Sequence, residues 1–190
     1  MGGRIKEFRI HGRGGQGAKS AAQLLAEAAI LQGKYVQAFP EYGPERSGAP
    51  VASFVRISNT KITTHQPVVS PDFVGVMDES MLTFPSIKEG LDKHSLLIVN
   101  SSLDEKQVMK MIGHEGKLYC IPATKIAMKY LGLNKTNTAI LSALAFFSNS
   151  ATLKDLSEVT YNLFKTKSER IANSNARIIK EVWNALKDKH

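Results

Sequence analysis

The chain has 190 residues, 43% hydrophobic and 22% charged, which is ordinary globular composition and enough length for one well-buried core. Its net charge of +8 and pI near 9.6 call for an anionic partner, whether nucleic acid, a phosphorylated cofactor or an acidic protein. The basic residues are scattered from Arg4 to Lys189 and aromatic residues make up only 7%, which argues against nucleic acid, and the single cysteine, Cys120, excludes an internal disulfide and any iron–sulfur cluster held by this chain's own thiolates.

The N-terminal stretch Met1 to Phe8 carries Arg4, Lys6 and Glu7 and no apolar core of signal-peptide length, so a cytoplasmic protein is expected. Glu7 to His11 reads as a first strand, followed at once by a glycine-rich turn. An alanine-rich helix comes next, from Ala18 to Leu31, whose short side chains let it lie close against a sheet, and Gly33 ends it. Tyr35 to Phe39 reads as a second strand, and Pro40 to Pro50 as a loop. Val51 to Ile57 and Lys61 to Thr64 read as two strands joined by a turn at Ser58-Asn59-Thr60. Phe73 to Met77 and Leu96 to Val99 are short apolar runs, as buried strands require, and Lys117 to Ile121 is another.

Helices are expected over Asp104 to Ile112, Thr124 to Leu131, Asn137 to Ser148, Leu153 to Phe164 and Ser168 to Lys187. In the last, Ile171, Ile178, Ile179, Val182, Trp183 and Leu186 recur at helical spacing. The longest mostly apolar stretch, Ala139 to Phe147, is too short to span a bilayer. Strands alternating with helices predict a single α/β domain over residues 1–190, with a mostly parallel central sheet covered on both faces and a Rossmann-like first turn.

That turn is Gly12-Arg13-Gly14-Gly15-Gln16-Gly17, a G-x-G-x-x-G pattern between strand and helix. Glycines let phosphate oxygens approach backbone N–H groups, the helix N-terminus favours an anion, and Arg13 and Lys19 add positive charge. A tight turn with no ligand fits the same pattern. So does a nicotinamide dinucleotide, although the acid such a site wants after the second strand has only Glu41 as candidate, just beyond Pro40.

The second loop holds Glu41, Glu45 and Arg46 among Pro40, Gly43, Pro44, Gly48 and Pro50, residues that stiffen or bend the backbone and so present charges at fixed positions. A solvated Glu45–Arg46 pair on a shaped turn is the plainer alternative. Taken in order, Gly12 to Ala18, then Glu41-Tyr42-Gly43-Pro44-Glu45-Arg46 with Gly48-Ala49-Pro50, then Pro71-Asp72-Phe73 leading to Met77-Asp78-Glu79, and finally the Asn134 to Leu144 segment resemble the gamma subunit of the 2-oxoacid:ferredoxin oxidoreductases. The likeness covers nearly the whole chain, and its Glu-Arg-x-Gly-Ala-Pro form looks closer to the pyruvate branch than to the 2-oxoglutarate branch.

The resemblance implies a multi-subunit enzyme that decarboxylates a 2-oxoacid on thiamine diphosphate, passes electrons through iron–sulfur clusters to ferredoxin and transfers the acyl group to coenzyme A. Alpha, beta and delta subunits would be this chain's partners and would carry the thiamine diphosphate and the clusters. The chain has no Gly-Asp-Gly thiamine motif and no Cys-x-x-Cys, which agrees with that division of labour. The resemblance places the gamma chain at the coenzyme A end of the reaction. The residues expected to contact that substrate are Gly12, Arg13, Gly14, Gly15, Gln16, Gly17, Lys19, Glu45 and Arg46, with no catalytic residue and no metal site. A self-sufficient nicotinamide-dependent dehydrogenase and a purely structural assembly subunit are the alternatives.

Elsewhere, His65 has no second ligand at zinc spacing. One of Asp78 and Glu79 is expected to cap the helix that follows. Cys120 in an apolar strand reads as an inert thiol, and Trp183 as core or subunit interface.

Overall fold

The computed structural model describes residues 4–40 and 48–189. Glu45 and Arg46, with the rest of 41–47, lie outside the described residues. Six strands, β1 (Lys6–Arg13), β2 (Tyr35–Pro40), β3 (Pro50–Ser58), β4 (Phe73–Val76), β5 (Leu96–Asn100) and β6 (Lys117–Ile121), form one sheet in the order β2-β3-β1-β4-β5-β6. Strands β1, β4, β5 and β6 pair in parallel, whereas β3 is antiparallel to both β1 and β2 and so runs against the other five.

The helices are α1 (Ala18–Leu31), α2 (Pro85–Lys88), α3 (Glu105–Ile112), α4 (Ala123–Leu131), α5 (Asn137–Ser148), α6 (Leu153–Lys165) and α7 (Glu169–Lys187), with a 3₁₀ turn at Glu79–Thr83. The strand period of two sends Phe8 and Ile10 of β1 to one face, where they join Val55 and Ile57 of β3 under α1 and α5. Helix α5 is buried from Asn137 to Ala145, and its contact with β4 is close because β4 has a glycine there. A Cβ on Gly75 would stand 2.9 Å from Leu144 Cδ1. Helices α6 and α7 pack behind, with Ile178, Ile179 and Val182 completing that core.

A second core lies on the opposite face, where Val74, Val76, Leu97 and Val99 meet Met81, Leu82, Ile87, Val108 and Ile112. It covers only the β4 to β6 half of the sheet. Over β1 to β3 the same face carries Arg9, His11 and Arg56, all buried; the irregular chain between β3 and β4 meets Arg56 through the Gln66 carbonyl, and Arg9 donates to the Ile87 and Glu89 carbonyls. Arg56 is neutralised by Glu7 at 2.7 Å, donates to the Gln66 carbonyl and rests over the Phe39 ring, which offsets the cost of desolvating a guanidinium.

The expected strand at Lys61 to Thr64 is not one, and Ser58-Asn59-Thr60 does not turn a hairpin. Both edges of β3 are already taken, by β1 and β2, so the segment cannot fold back onto β3 as a hairpin, and it reaches β2 and β3 through Thr64 O and Gln66 O, which accept from the Gln37 and Arg56 side chains. The two short helical pieces after β4 were not legible as periodic apolar runs. The first is capped as expected, with Asp78 accepting from Ser80 N at 3.0 Å.

Helix α3 begins with a reciprocal capping box. Asp104 accepts from Gln107 N at 2.9 Å, and the Gln107 side chain accepts from Asp104 N at 3.2 Å. Asp104→Ala is expected to cost about 1 kcal/mol, read as a lower denaturation midpoint at unchanged m-value.

Candidate functional site

Strand β1 ends in the glycine turn, beyond the C-terminal ends of the parallel strands. The chain leaves β1 toward β2 on one side and leaves β4 toward β5 on the other, so the turn borders the crevice where α/β sheets bind ligands. The antiparallel pairing with β3 continues into it. Gly14 N donates to Ala49 O at 2.8 Å and Gly48 N to Gly14 O at 3.2 Å, which joins the first loop to the end of the second.

Gly15 and Gly17 both hold φ near +90°, the left-handed region that suits glycine. Gly17 is the N-cap of α1, and no side chain caps that helix. Its first N–H groups are therefore open to an external acceptor. Two features of the segment before α5 close in on the turn. Lys135 Nζ donates to Gly15 O at 2.7 Å, and Asn137 Nδ2 would stand 2.8 Å from a Cβ on Gly17. Thr136 Oγ1, donating to Met77 O at 3.1 Å, ties the same segment to the end of β4.

Arg13 points elsewhere. Its guanidinium donates to Ser80 Oγ at 2.7 Å and to Gly48 O at 3.2 Å, pairs with Asp78 Oδ2 at 3.4 Å and lies over the Phe84 ring. Gln16 accepts from Arg13 N at 2.7 Å and donates to Asp78 at 2.9 Å. Partial burial pushes the Asp78 carboxyl up, but hydrogen bonds from Ser80 and Gln16 and the Arg13 charge outweigh it and hold it below its usual range. An ionised Asp78 thus braces Arg13 and Gln16 from below the turn. Lys19 faces a separate small cavity, about 220 Å³, beside Ala38, Phe39 and Ser53.

On the α1 side the turn borders a cavity of about 300 Å³ with Lys135, Asn137, Lys167 and Arg170 on its wall. These residues escaped the sequence reading because folding alone unites the α4–α5 connection, the α6–α7 corner and the turn. A signal was present nonetheless: Lys135 and Lys167 each stand one residue ahead of a helix N-cap, where positive charge is unfavourable without an anion.

A larger cavity, about 460 Å³, lies between β6, α4 and α7 and contains no residue of the glycine turn. Its wall includes Ile121, Ile126, Val182 and Leu186, and its Lys129 is paired with Glu181 at 2.6 Å. Cys120 borders it, half-buried, with a thiol pushed up to about 11 by burial and by Glu105, Glu79 and Asp104, so it is protonated at neutral pH and inert as a nucleophile. Among the described residues no cluster of three or more His, Cys, Asp or Glu is placed to hold a metal ion, and no helix is long and apolar enough to cross a membrane.

The profile of the pyruvate ferredoxin/flavodoxin oxidoreductase family matches residues 7–185. The chain belongs to that family. It is 42% identical over 178 residues to the pyruvate/ketoisovalerate oxidoreductases common subunit gamma of Pyrococcus furiosus, covering 93% of this chain and 95% of that one. Its fold superposes with a TM-score of 0.84 on pyruvate oxidoreductase subunit PORC of Thermotoga maritima, at 39% identity over 95% of this chain and 96% of that one. The 2-oxoglutarate:ferredoxin oxidoreductase of Magnetococcus marinus, solved with 2-oxoglutarate, coenzyme A and succinyl-CoA bound, shares the fold at 20% identity and a TM-score of 0.75. That match covers 96% of this chain and 31% of that longer one. In this member of the pyruvate ferredoxin/flavodoxin oxidoreductase family the turn, the uncapped start of α1 and Asn137 therefore sit on a gamma-type subunit fold.

Proposed function

We propose that this chain is the gamma subunit of a pyruvate-preferring 2-oxoacid:ferredoxin oxidoreductase and supplies its coenzyme A contact. Thiamine diphosphate and the iron–sulfur clusters would reside on alpha, beta and delta partners in the cytoplasm, with ferredoxin as electron acceptor. The observation that carries this reading is the uncapped N-terminus of α1, which opens through the glycine turn onto a nucleotide-sized cavity whose charged side chains are all cations. Such a surface is suited to binding and orienting a phosphorylated substrate.

The candidate contacts are Gly12, Gly14, Gly15 and Gly17 through their backbone and Lys19 through its charge. Arg13 and Gln16 act by holding the turn in place against Asp78. Glu45 and Arg46 are proposed contacts on the second loop. The dinucleotide alternative needs an acid after β2, where the sequence offers only Glu41, which lies outside the described residues.

The test is reconstitution with the alpha, beta and delta chains, following pyruvate-dependent ferredoxin reduction and acetyl-CoA formation. The isolated chain is expected to be inactive, and the assembly without it to lose coenzyme A-dependent turnover. Full coenzyme A-dependent turnover in its absence, or pyruvate oxidation by this chain alone, would overturn the proposal.

A further inference from the structure

We infer that the outer edge of β6, with the 460 Å³ cavity around it, docks an extended segment of a companion subunit that is apolar where it enters the cavity and acidic beside it. That the occupant is a companion subunit rests on the function proposed above, whereas the mode of docking rests on the edge and the cavity themselves. Strand β6 is the last in the sheet, so among the described residues no strand pairs with its outer edge. The Ile121 carbonyl accepts from Ser101 N, just past β5, at 3.1 Å and so points toward β5. Backbone groups alternate sides along a strand, so the N–H and C=O of Cys120 point the other way, out of the sheet.

The cavity meets the strand at that residue. Tyr119, Cys120 and Ile121 are consecutive and all border it, although their side chains go to alternate faces. Tyr119 stacks on Phe147 of α5 with ring centroids 4.1 Å apart, whereas Cys120 packs against the second core on the opposite face. The remaining walls likewise come from both faces, Glu105 of α3 on one side and Ile126, Val182 and Leu186 of α4 and α7 on the other. A cavity built this way wraps round the edge and presents open backbone groups and apolar surface together. An extended peptide uses both, because its main chain bonds the edge while one of its side chains fills the pocket.

Sheets blunt a free edge with proline, inward-pointing charge or a covering element, and β6 has only Lys117, at its first residue, before the run Leu118-Tyr119-Cys120-Ile121. Such an edge calls for a cover. Charge selects what covers it. Lys129 is matched by Glu181, and Glu105, in the first turn of α3, is matched by that helix's dipole. Lys125 and Lys189 have no carboxylate within 4 Å among the described residues, and the first turn of α4, where Lys125 sits, contains no acid. Both lysines therefore suit carboxylates brought by the occupant. A second copy of this chain is the wrong partner, because a two-fold pairing of β6 edges would bring these lysines together on chains that each already have a charge of +8.

The test compares the isolated full chain with the complex reconstituted from its companion subunits. Deuterium exchange of the Cys120 amide, resolved by fragment mass spectrometry, should be slowed about tenfold or more by assembly, whereas the Ile121 amide, on the β5 side, should be protected in both states. Lys125→Glu combined with Lys189→Glu should weaken assembly about tenfold and make it less sensitive to salt. Ala185→Trp, which fills the cavity from α7, should weaken assembly at least as much. All of these positions are exposed, so circular dichroism and the Tm of the isolated variants should match wild type. Raising the subunit concentration should restore wild-type turnover, because the substitutions act on docking. Equal Cys120 exchange in the two states, in a complex that turns over pyruvate, would overturn the docking mode and leave the proposed function standing. Protection that grows with the concentration of the isolated chain would make a second copy the occupant and overturn it likewise. Failure of wild-type chain to bind the companion subunits at all would overturn the proposed function and this inference with it.

Discussion

Lowering the pH from 6.5 toward 3 is expected to drain stability from this chain at a rate largely set by His11. Its side chain is 3% exposed on the outer face of β1, and its Nε2 has no hydrogen-bond partner among the described residues. Burial, reinforced by the Arg9 charge, lowers its pKa from 6.5 to about 3. In that window the unfolded chain takes up a proton at this position that the folded chain refuses. The stabilising difference is thus fully present above pH 6.5 and is lost as pH falls, at up to about 1.4 kcal/mol per pH unit and on the order of 5 kcal/mol in all.

His11→Leu keeps a similar volume and removes both the titration and the unpaired nitrogen. Urea midpoints at pH 7, 5 and 4 should fall steeply in the wild type and distinctly less in the variant, so that the variant is the more stable protein at pH 4. Parallel curves for the two proteins would refute the assignment. The consequence reaches the site, because His11 directly precedes Gly12 and its carbonyl accepts from Met77 N at 2.9 Å, the bond that aligns the ends of β1 and β4. A proton forced onto this ring is expected to disturb the base of the glycine turn first.

The parts of this architecture that were legible in the sequence are local ones. Gly12 to Gly17 announces a strand-to-helix turn because its spacing is a backbone requirement. The apolar positions from Ile171 to Leu186 announce α7 because a helix face repeats every few residues. What stayed hidden is set by partners distant in the chain. Arg13 looked like a phosphate ligand beside the glycines, but Asp78 and Ser80 hold it, and both arrive with β4. Lys61 to Thr64 had a strand's composition, but β3, the strand a hairpin would return to, is paired on both edges, which is a property of the sheet order. Lys135, Lys167 and Arg170 carry no common motif and become one site only when α5 and α7 pack against the start of α1.

Gly17→Ala should be the most damaging single-methyl change in the turn, and comparison with Gly15→Ala shows why. Both positions have φ near +90°, so either alanine incurs backbone strain of about 1–3 kcal/mol. At Gly15 nothing stands within 4 Å of the new methyl and strain is the whole cost. At Gly17 the methyl meets Asn137 Nδ2 at 2.8 Å, Cγ at 3.2 Å and Cβ at 3.4 Å, so the whole Asn137 side chain, at the start of a buried helix, must shift. The added crowding is expected to cost roughly another 1–3 kcal/mol and to turn the Asn137 amide away from the cavity. Denaturation midpoints should rank wild type above Gly15→Ala above Gly17→Ala, and in the reconstituted complex the coenzyme A KM should rise more for Gly17→Ala. Placing Asn137→Ala in the Gly17→Ala background removes the crowded atoms. It should recover stability relative to Gly17→Ala while leaving coenzyme A binding impaired, a coupling that a double-mutant cycle measures directly. If the two glycine variants were equally stable, the contact between Gly17 and Asn137 would not shape this turn, and the amide would have to be positioned by something else.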